Sequence, residues 1–195
     1  MLHDISLSVS PGEMLCVVGP VGCGKSSLLA ALLGESTITS GSIQSEGSFA
    51  LVEQEPGVFS DTIRANILFG KPEDPERLEE VVRVCELEPD LALLAQGLDT
   101  WVGEGGLSIS GGQRARLALA RACYSDADIY LLDDPLSAVD SRVAHKIMRN
   151  CLRGYLREKS IIMVTHQLAL LSEATNVLAL DSSGHAAFYG ATEDF

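Results

Sequence analysis

The chain has 195 residues, 46% of them hydrophobic, which is enough for one domain with a real core and too many for a disordered segment. Its 14 basic and 27 acidic residues leave a formal charge of −13, which opposes binding by phosphate neutralisation, so no nucleic-acid partner is expected. Five cysteines, an odd number with no CxxC spacing, read as reduced core thiols of a cytosolic domain with neither a zinc site nor a disulfide framework.

The opening MLHDISLSVSPGEM has no basic n-region and no long apolar core, so it does not read as a secretory signal. No run approaches the roughly 18 apolar residues of a membrane span. Ile5 to Val9 alternates apolar residues with Ser, as a half-exposed strand does, and SPGEM turns it into a buried strand, Met14 to Val18. Short strands at Ser42 to Ile43 and Ser48 to Val52, each preceded by Gly, predict a small antiparallel sheet beside the core. From about residue 60 to 124 the pattern is helical: DTIRANILFG, then a stretch with Pro75 and Pro89 in first turns, then a helix from about Ser110 to Cys123.

The apolar run Ile129 to Leu132 reads as a strand buried on both faces. It delivers Asp133 and Asp134 to the carboxyl edge of a parallel sheet, where open α/β sheets bind ligands. The same two aspartates, followed by Pro135, also suit a helix start, so only a partner site elsewhere can decide between the readings. A helix over roughly 141 to 152, a β-branched strand SIIMVT, and short strands around Val177 to Leu180 and Ala187 to Tyr189 complete the chain.

That partner site stands between the strand Met14 to Val18 and the apolar helix SLLAALL. GPVGCGKSS (Gly19, Pro20, Val21, Gly22, Cys23, Gly24, Lys25, Ser26, Ser27) fits GxxxxGK[ST]. Glycines let backbone N–H groups turn inward on phosphate oxygens, and the helix N-terminus adds partial positive charge. Lys25 reaches the β and γ phosphates, and Ser26 offers its hydroxyl to Mg²⁺. Asp133 can then hold Mg²⁺ through water, and Asp134 stands where a base for the attacking water belongs. Cys23 is either a small loop residue or, two residues from Lys25 at a helix start, a thiol of lowered pKa. Ser110, Gly111 and Gly112 form a second phosphate-binding element at the start of another helix. A head-to-tail dimer, in which this element faces the partner's nucleotide, resolves the surplus.

Here the sequence resembles the nucleotide-binding domain of ABC transporters. GPVGCGKSS is similar to Walker A, ISGGQ (with Ser110, Gly111, Gly112 and Gln113) to the LSGGQ signature, and IYLLDD to Walker B. SAVD, ending at Asp140, resembles the D-loop, and VTH with His166 resembles the switch histidine. Gln54 in LVEQEPGVFS matches the Q-loop residue, which in that family touches Mg²⁺ and borders the contact with membrane segments. TWVGEGG, Thr100 to Gly106, is similar to the loop that precedes the signature in exporters. More narrowly, VVGPVGCGKSSLL, GEGGLSISGGQRARLALARA and DADIYLLDDPLSAVDS resemble the first nucleotide-binding domain of the ABCC (multidrug-resistance-associated) subfamily.

The resemblance covers nearly the whole chain and implies an α/β fold: a P-loop NTPase (RecA-like) core with an antiparallel β side sheet and an α-helical insert over about 60 to 124. It implies an ABC-type ATPase using ATP and Mg²⁺, with γ-phosphate contact by His166. Its implied partners are a second nucleotide-binding domain and the transmembrane domains of the same transporter, at the cytosolic face of a membrane. His3, His145 and His185 have no comparable context, and Trp101 reads as a packing aromatic.

The pattern departs from the family in two places. Most members carry Glu directly after the Walker B aspartate, and here Asp134 stands there. One methylene fewer withdraws the carboxylate by about 1.5 Å, and losing a well-placed general base costs about 10²- to 10⁴-fold. The expectation is a site that binds ATP well and hydrolyses it slowly, in keeping with ABCC first domains, which commonly have Asp there. Residues 1 to 18 contain no aromatic, so the family's first strand and its adenine-stacking aromatic are expected to lie outside this chain. Two rival readings are a soluble ABC ATPase, opposed by the acidity and the exporter-like loop, and an ATP-gated regulatory module that binds without turnover.

Overall fold

The computed structural model describes residues 2–195. In chain order the strands are β1 (Met14–Val18), β2 (Phe49–Val52), β3 (Asp61–Thr62), β4 (Trp101–Val102), β5 (Ile129–Asp133), β6 (Ser160–Val164), β7 (Asn176–Leu180) and β8 (Ala186–Ala191). The helices are α1 (Lys25–Leu32), α2 (Ile63–Leu68), α3 (Pro75–Val84), α4 (Glu88–Leu91), α5 (Gly111–Ser125) and α6 (Ser141–Ile147). The chain forms two compact units: residues up to Leu51 with Ala127–Asp134 and Glu158–Phe195, and Val52–Asp126 with Pro135–Arg157.

The first unit is built on a six-stranded sheet in the order β2-β5-β6-β1-β7-β8. β5 with β6, β6 with β1, and β1 with β7 run parallel, and β8 pairs antiparallel on β7. Every residue of β1 (MLCVV) and β6 (SIIMV) is buried. A parallel strand covered on both faces is apolar nearly throughout, which is why these strands read as near-continuous runs, Ser160 at the start of β6 being the polar exception. Alternate residues Leu15, Val17, Ile162, Val164, Leu178 and Leu180 gather on one face with Leu28 and Leu29 of α1. Burying each such side chain stabilises by about 1.5–3 kcal/mol. The Asp128 carboxylate accepts the N–H and the hydroxyl of Ser48 at 2.8 Å each, tying the approach to β2 to the approach to β5. Those two donors hold its carboxyl below the usual range.

Two expected strands do not form. Ile5, Leu7 and Val9 pack on the core with the predicted alternation, yet the segment joins no sheet. Ser8 instead donates its N–H to the Tyr189 hydroxyl at 3.1 Å and accepts that hydroxyl's proton on its carbonyl at 2.9 Å. Alternation reports burial of one face, and burial does not require a backbone ladder. Ser42 and Ile43 are exposed and irregular, with no apolar face to cover. The small antiparallel sheet does exist, but β3 and β4 make it, pairing Asp61 with Val102 and Thr62 with Trp101.

The second unit is mainly helical. Asp74 caps α3 by accepting from Arg77 N–H at 3.1 Å, Pro75 occupies the first turn, and Leu78, Val81 and Val82 are buried. Arg121 on α5 donates to the carbonyl and the side-chain oxygen of Asn66 on α2, at 2.9 and 3.1 Å. A plain helix was expected over 141 to 152, but α6 passes into a π-helical segment, Met148–Tyr155, in which Leu156 N–H donates to the Cys151 carbonyl at 2.9 Å. Among the described residues no helix is long and apolar enough to cross a membrane.

Candidate functional site

β5, β6 and β1 are adjacent in the sheet, and their carboxyl ends release Asp134, then Thr165 and His166, and then Gly19. The register sets these ends level, with Val164 opposite both Val17 and Asp133. Thr165 N–H donates to the Val17 carbonyl at 3.1 Å, and Asp134 N–H to the Val164 carbonyl at 3.0 Å. The order of strands thus brings together residues more than a hundred positions apart.

The chain turns out of β1 at Gly19, φ +150°, where a Cβ would stand 2.6 Å from the Leu180 carbonyl oxygen and 2.9 Å from Cys23 Sγ. Only glycine fits that approach. Lys25, 6% exposed, donates from Nζ to the carbonyls of Gly19 and Pro20 at 2.8 Å each. A buried ammonium needs acceptors, and here the loop supplies them from its own backbone. Gly24 starts α1 with no side-chain cap and no acidic residue in the first turn. The helix's partial positive charge is therefore not offset by a neighbouring side chain, an arrangement that suits an anion. Pro20, Val21, Gly22, Ser26 and Ser27 are exposed, whereas Cys23 is buried. Burial shields from solvent the thiol whose position beside Lys25 suggested reactivity.

Asp134 is 6% exposed and adopts φ +47°. Burial raises its carboxyl pKa above the usual range, and the neighbouring Asp133 carboxylate adds to the rise. The backbone N–H of His166 and the nearby His166 and Lys25 side chains oppose it. Asp133 is half-buried and His166 exposed. A serine hydroxyl at Ser26 and a carboxylate at Asp133 are hard oxygen donors, the type that Mg²⁺ takes.

Ser110, Gly111, Gly112, Gln113, Gln54 and Asp140 belong to the second unit. Ser110 caps α5 by accepting from Gln113 N–H at 3.2 Å, while the Gln113 side-chain oxygen accepts from Ser110 N–H at 2.8 Å. SGGQ is thus a reciprocal helix cap as well as a glycine pair, and the S-x-x-Q spacing is the signal that sequence reading passed over. Gln113 also donates to Asp90 at 2.8 Å, and Asp90 accepts from Arg116 at 2.6 Å. Sequence reading missed Asp90 and Arg116, because no local spacing links residues 23 and 26 apart. A Cβ on Gly112 would meet the Ala138 carbonyl oxygen at 2.8 Å; one on Gly111 would meet Ala138 Cβ at an ordinary 3.5 Å. Asp140 caps α6, accepting from Arg142 N–H at 3.0 Å, and Gln54 is exposed beyond β2.

A family model described as ABC transporter matches residues 2–137. ATP-binding cassette sub-family C member 4 of Homo sapiens is 53% identical over 179 residues, 92% of this chain and 14% of that protein. A multidrug resistance protein of Leishmania tarentolae is 46% identical over 180 residues, covering 92% of the chain and 12% of the relative. ABC transporter C family member 3 of Arabidopsis thaliana is 48% identical over 179 residues, again 92% and 12%. The chain therefore spans 12–14% of the length of these relatives.

Proposed function

Because the chain belongs to the ABC transporter family, we propose that it is the ATP-binding and ATP-hydrolysing domain of a membrane exporter of the ABCC kind. The observation that carries this reading is Lys25: a buried ammonium held by two loop carbonyls at an uncapped helix start, with two aspartates released by β5, the next strand but one in the same sheet. Phosphate oxygens replace those carbonyls as acceptors when ATP enters, and the backbone N–H groups of Gly22 to Ser27 close around them. Ser26 and Asp133 would hold Mg²⁺, which neutralises phosphate charge when bound.

Asp134 orients the attacking water and accepts its proton, and His166 contacts the γ-phosphate. Ser110, Gly111, Gly112 and Gln113 complete the nucleotide site of a second nucleotide-binding domain, joined head to tail with Asp140 of the D-loop at the junction. ATP draws the two domains together, and the transmembrane domains of the same transporter receive that closure at the cytosolic face. The short Asp134 side chain makes this chain's own site the slow one.

Nucleotide binding and single-turnover hydrolysis with Mg²⁺ and the partner domain test the proposal. Tight ATP binding followed by slow release of phosphate is expected. Absence of ATP binding would sink the whole reading. Bound nucleotide that stays intact would leave the ATP-gated module, the alternative favoured by Asp in the base position.

A further inference from the structure

Three of the five cysteines converge in the second unit. Cys85 closes α3, Cys123 lies near the end of α5, and Cys151 lies on the π-helical segment; each is 0% exposed. Their Sγ atoms all lie within 4.8 Å of one another, and the Cys123 and Cys151 sulfurs are 3.4 Å apart. With metal–sulfur bonds of about 2.3 Å, three sulfurs around one ion stand about 3.8–4.0 Å apart in tetrahedral or trigonal geometry. The Cys123–Cys151 separation is somewhat shorter than that value, and all three sulfurs lie within the 4.8 Å over which one ion could draw them together. Among the described residues no histidine or carboxylate joins the cluster.

An all-sulfur donor set selects soft cations and rejects Mg²⁺ and Ca²⁺. Structural zinc sites take four protein ligands, and catalytic zinc sites keep a fourth, open position for water. Three sulfurs fully shielded from solvent offer neither, which leaves three-coordination. We propose that Cys85, Cys123 and Cys151 form a three-coordinate thiolate site for a soft d¹⁰ cation, copper(I) in type. On binding, each thiol gives its proton to solvent and the ion gains three metal–sulfur bonds without changing oxidation state.

The backbone at Cys151 is a second, independent observation. Extended π-helix is rare and concentrates at functional sites. Here Leu156 N–H reaches back five residues to the Cys151 carbonyl, so the widened turn passes through the ligand itself. Widening a helix changes the direction in which a side chain leaves its axis. A core that needed only apolar volume at position 151 has no use for that adjustment.

The test is an anaerobic titration of the reduced, metal-free chain with copper(I) against a chromophoric copper(I) chelator, followed by X-ray absorption of the loaded protein. One ion per chain with three sulfur neighbours is expected. Cys123→Ser and Cys151→Ser should each weaken uptake at least tenfold, while Cys16→Ala, in β1, leaves it unchanged. Cys123→Val keeps apolar volume, so a variant with parental circular dichroism and no uptake separates ligation from folding. Failure of the parent to take up one equivalent, or uptake that survives Cys123→Val, overturns the proposal. A reduced protein that ignores copper(I) but loses 2 Da on air oxidation, by forming a Cys123–Cys151 disulfide, overturns it equally.

Discussion

The backbone N–H of Asp134 donates to the Val164 carbonyl at 3.0 Å while Asp134 itself sits at φ +47°. The bond carries the β5–β6 ladder one residue beyond Asp133, and the left-handed turn follows at once. That conformation costs a residue with a Cβ about 1–2 kcal/mol, so it persists only where the surroundings impose it. The backbone therefore fixes the direction in which the side chain leaves the chain, and side-chain length limits how far the carboxyl group reaches.

Lengthening that side chain should extend the reach without re-aiming it. Asp134→Glu is expected to raise hydrolysis at this site by about tenfold or more, measured as phosphate release in the presence of the partner domain. A rate equal to the parent's would remove Asp134 from the role of base.

Asp134→Asn separates catalysis from stability. Burial raises the Asp134 pKa in the folded state, so the folded protein binds that proton more tightly than the unfolded chain does. The stability this contributes is fully present at low pH and is lost as pH rises through the folded value. At neutral pH the parent thus carries a buried charge that Asn lacks. The variant should melt higher than the parent at pH 7 to 8 and lose that advantage as pH falls toward the usual carboxylate range, while its hydrolysis is abolished. A melting difference independent of pH contradicts this.

Lys25→Ala removes the ammonium and leaves the Gly19 and Pro20 carbonyls without their donor. Hydrogen bonds to charged groups contribute about 1.5–3 kcal/mol each, so ATP affinity should fall by about 10²-fold or more. Equilibrium binding of a fluorescent ATP analogue reads this directly, and parental affinity in the variant would disprove the phosphate-site assignment.

The two signature glycines should fail in different ways. A Cβ on Gly112 collides with the Ala138 carbonyl, so Gly112→Ala should cost about 1–3 kcal/mol of stability by overpacking. Position 111 has room and lies at the first turn of α5, where a carboxylate gains about 0.3–1 kcal/mol from the helix dipole. Gly111→Asp should therefore keep or slightly raise stability in urea, yet suppress turnover at the partner's site by repelling phosphate. Gly111→Asp with normal ATPase activity in the reconstituted pair of domains would contradict the head-to-tail arrangement.

Local chemistry made much of this protein legible before any coordinates. The apolar runs at Met14 to Val18, Ile129 to Leu132 and Ile161 to Val164 read as strands covered on both faces, because they are short, rich in aliphatic residues and bounded by turn residues. GPVGCGKSS declared itself because its glycines, lysine and serine act within nine consecutive residues. Ile5 to Val9 shows where such reading stops: the side chains set which face is buried, but a ladder needs matched backbone pairing, and among the described residues Ser8 bonds instead to the Tyr189 hydroxyl. The left-handed turn at Asp134 accompanies its bond to Val164 on another strand, and the hold on Gln113 comes from Asp90, 23 residues away. Cys85, Cys123 and Cys151 carry no spacing that a metal motif would show. Their sulfurs meet because α3, α5 and the π-helical segment pack together, and that convergence is decided by the closure of long loops around a common core, not by the identity of any one residue.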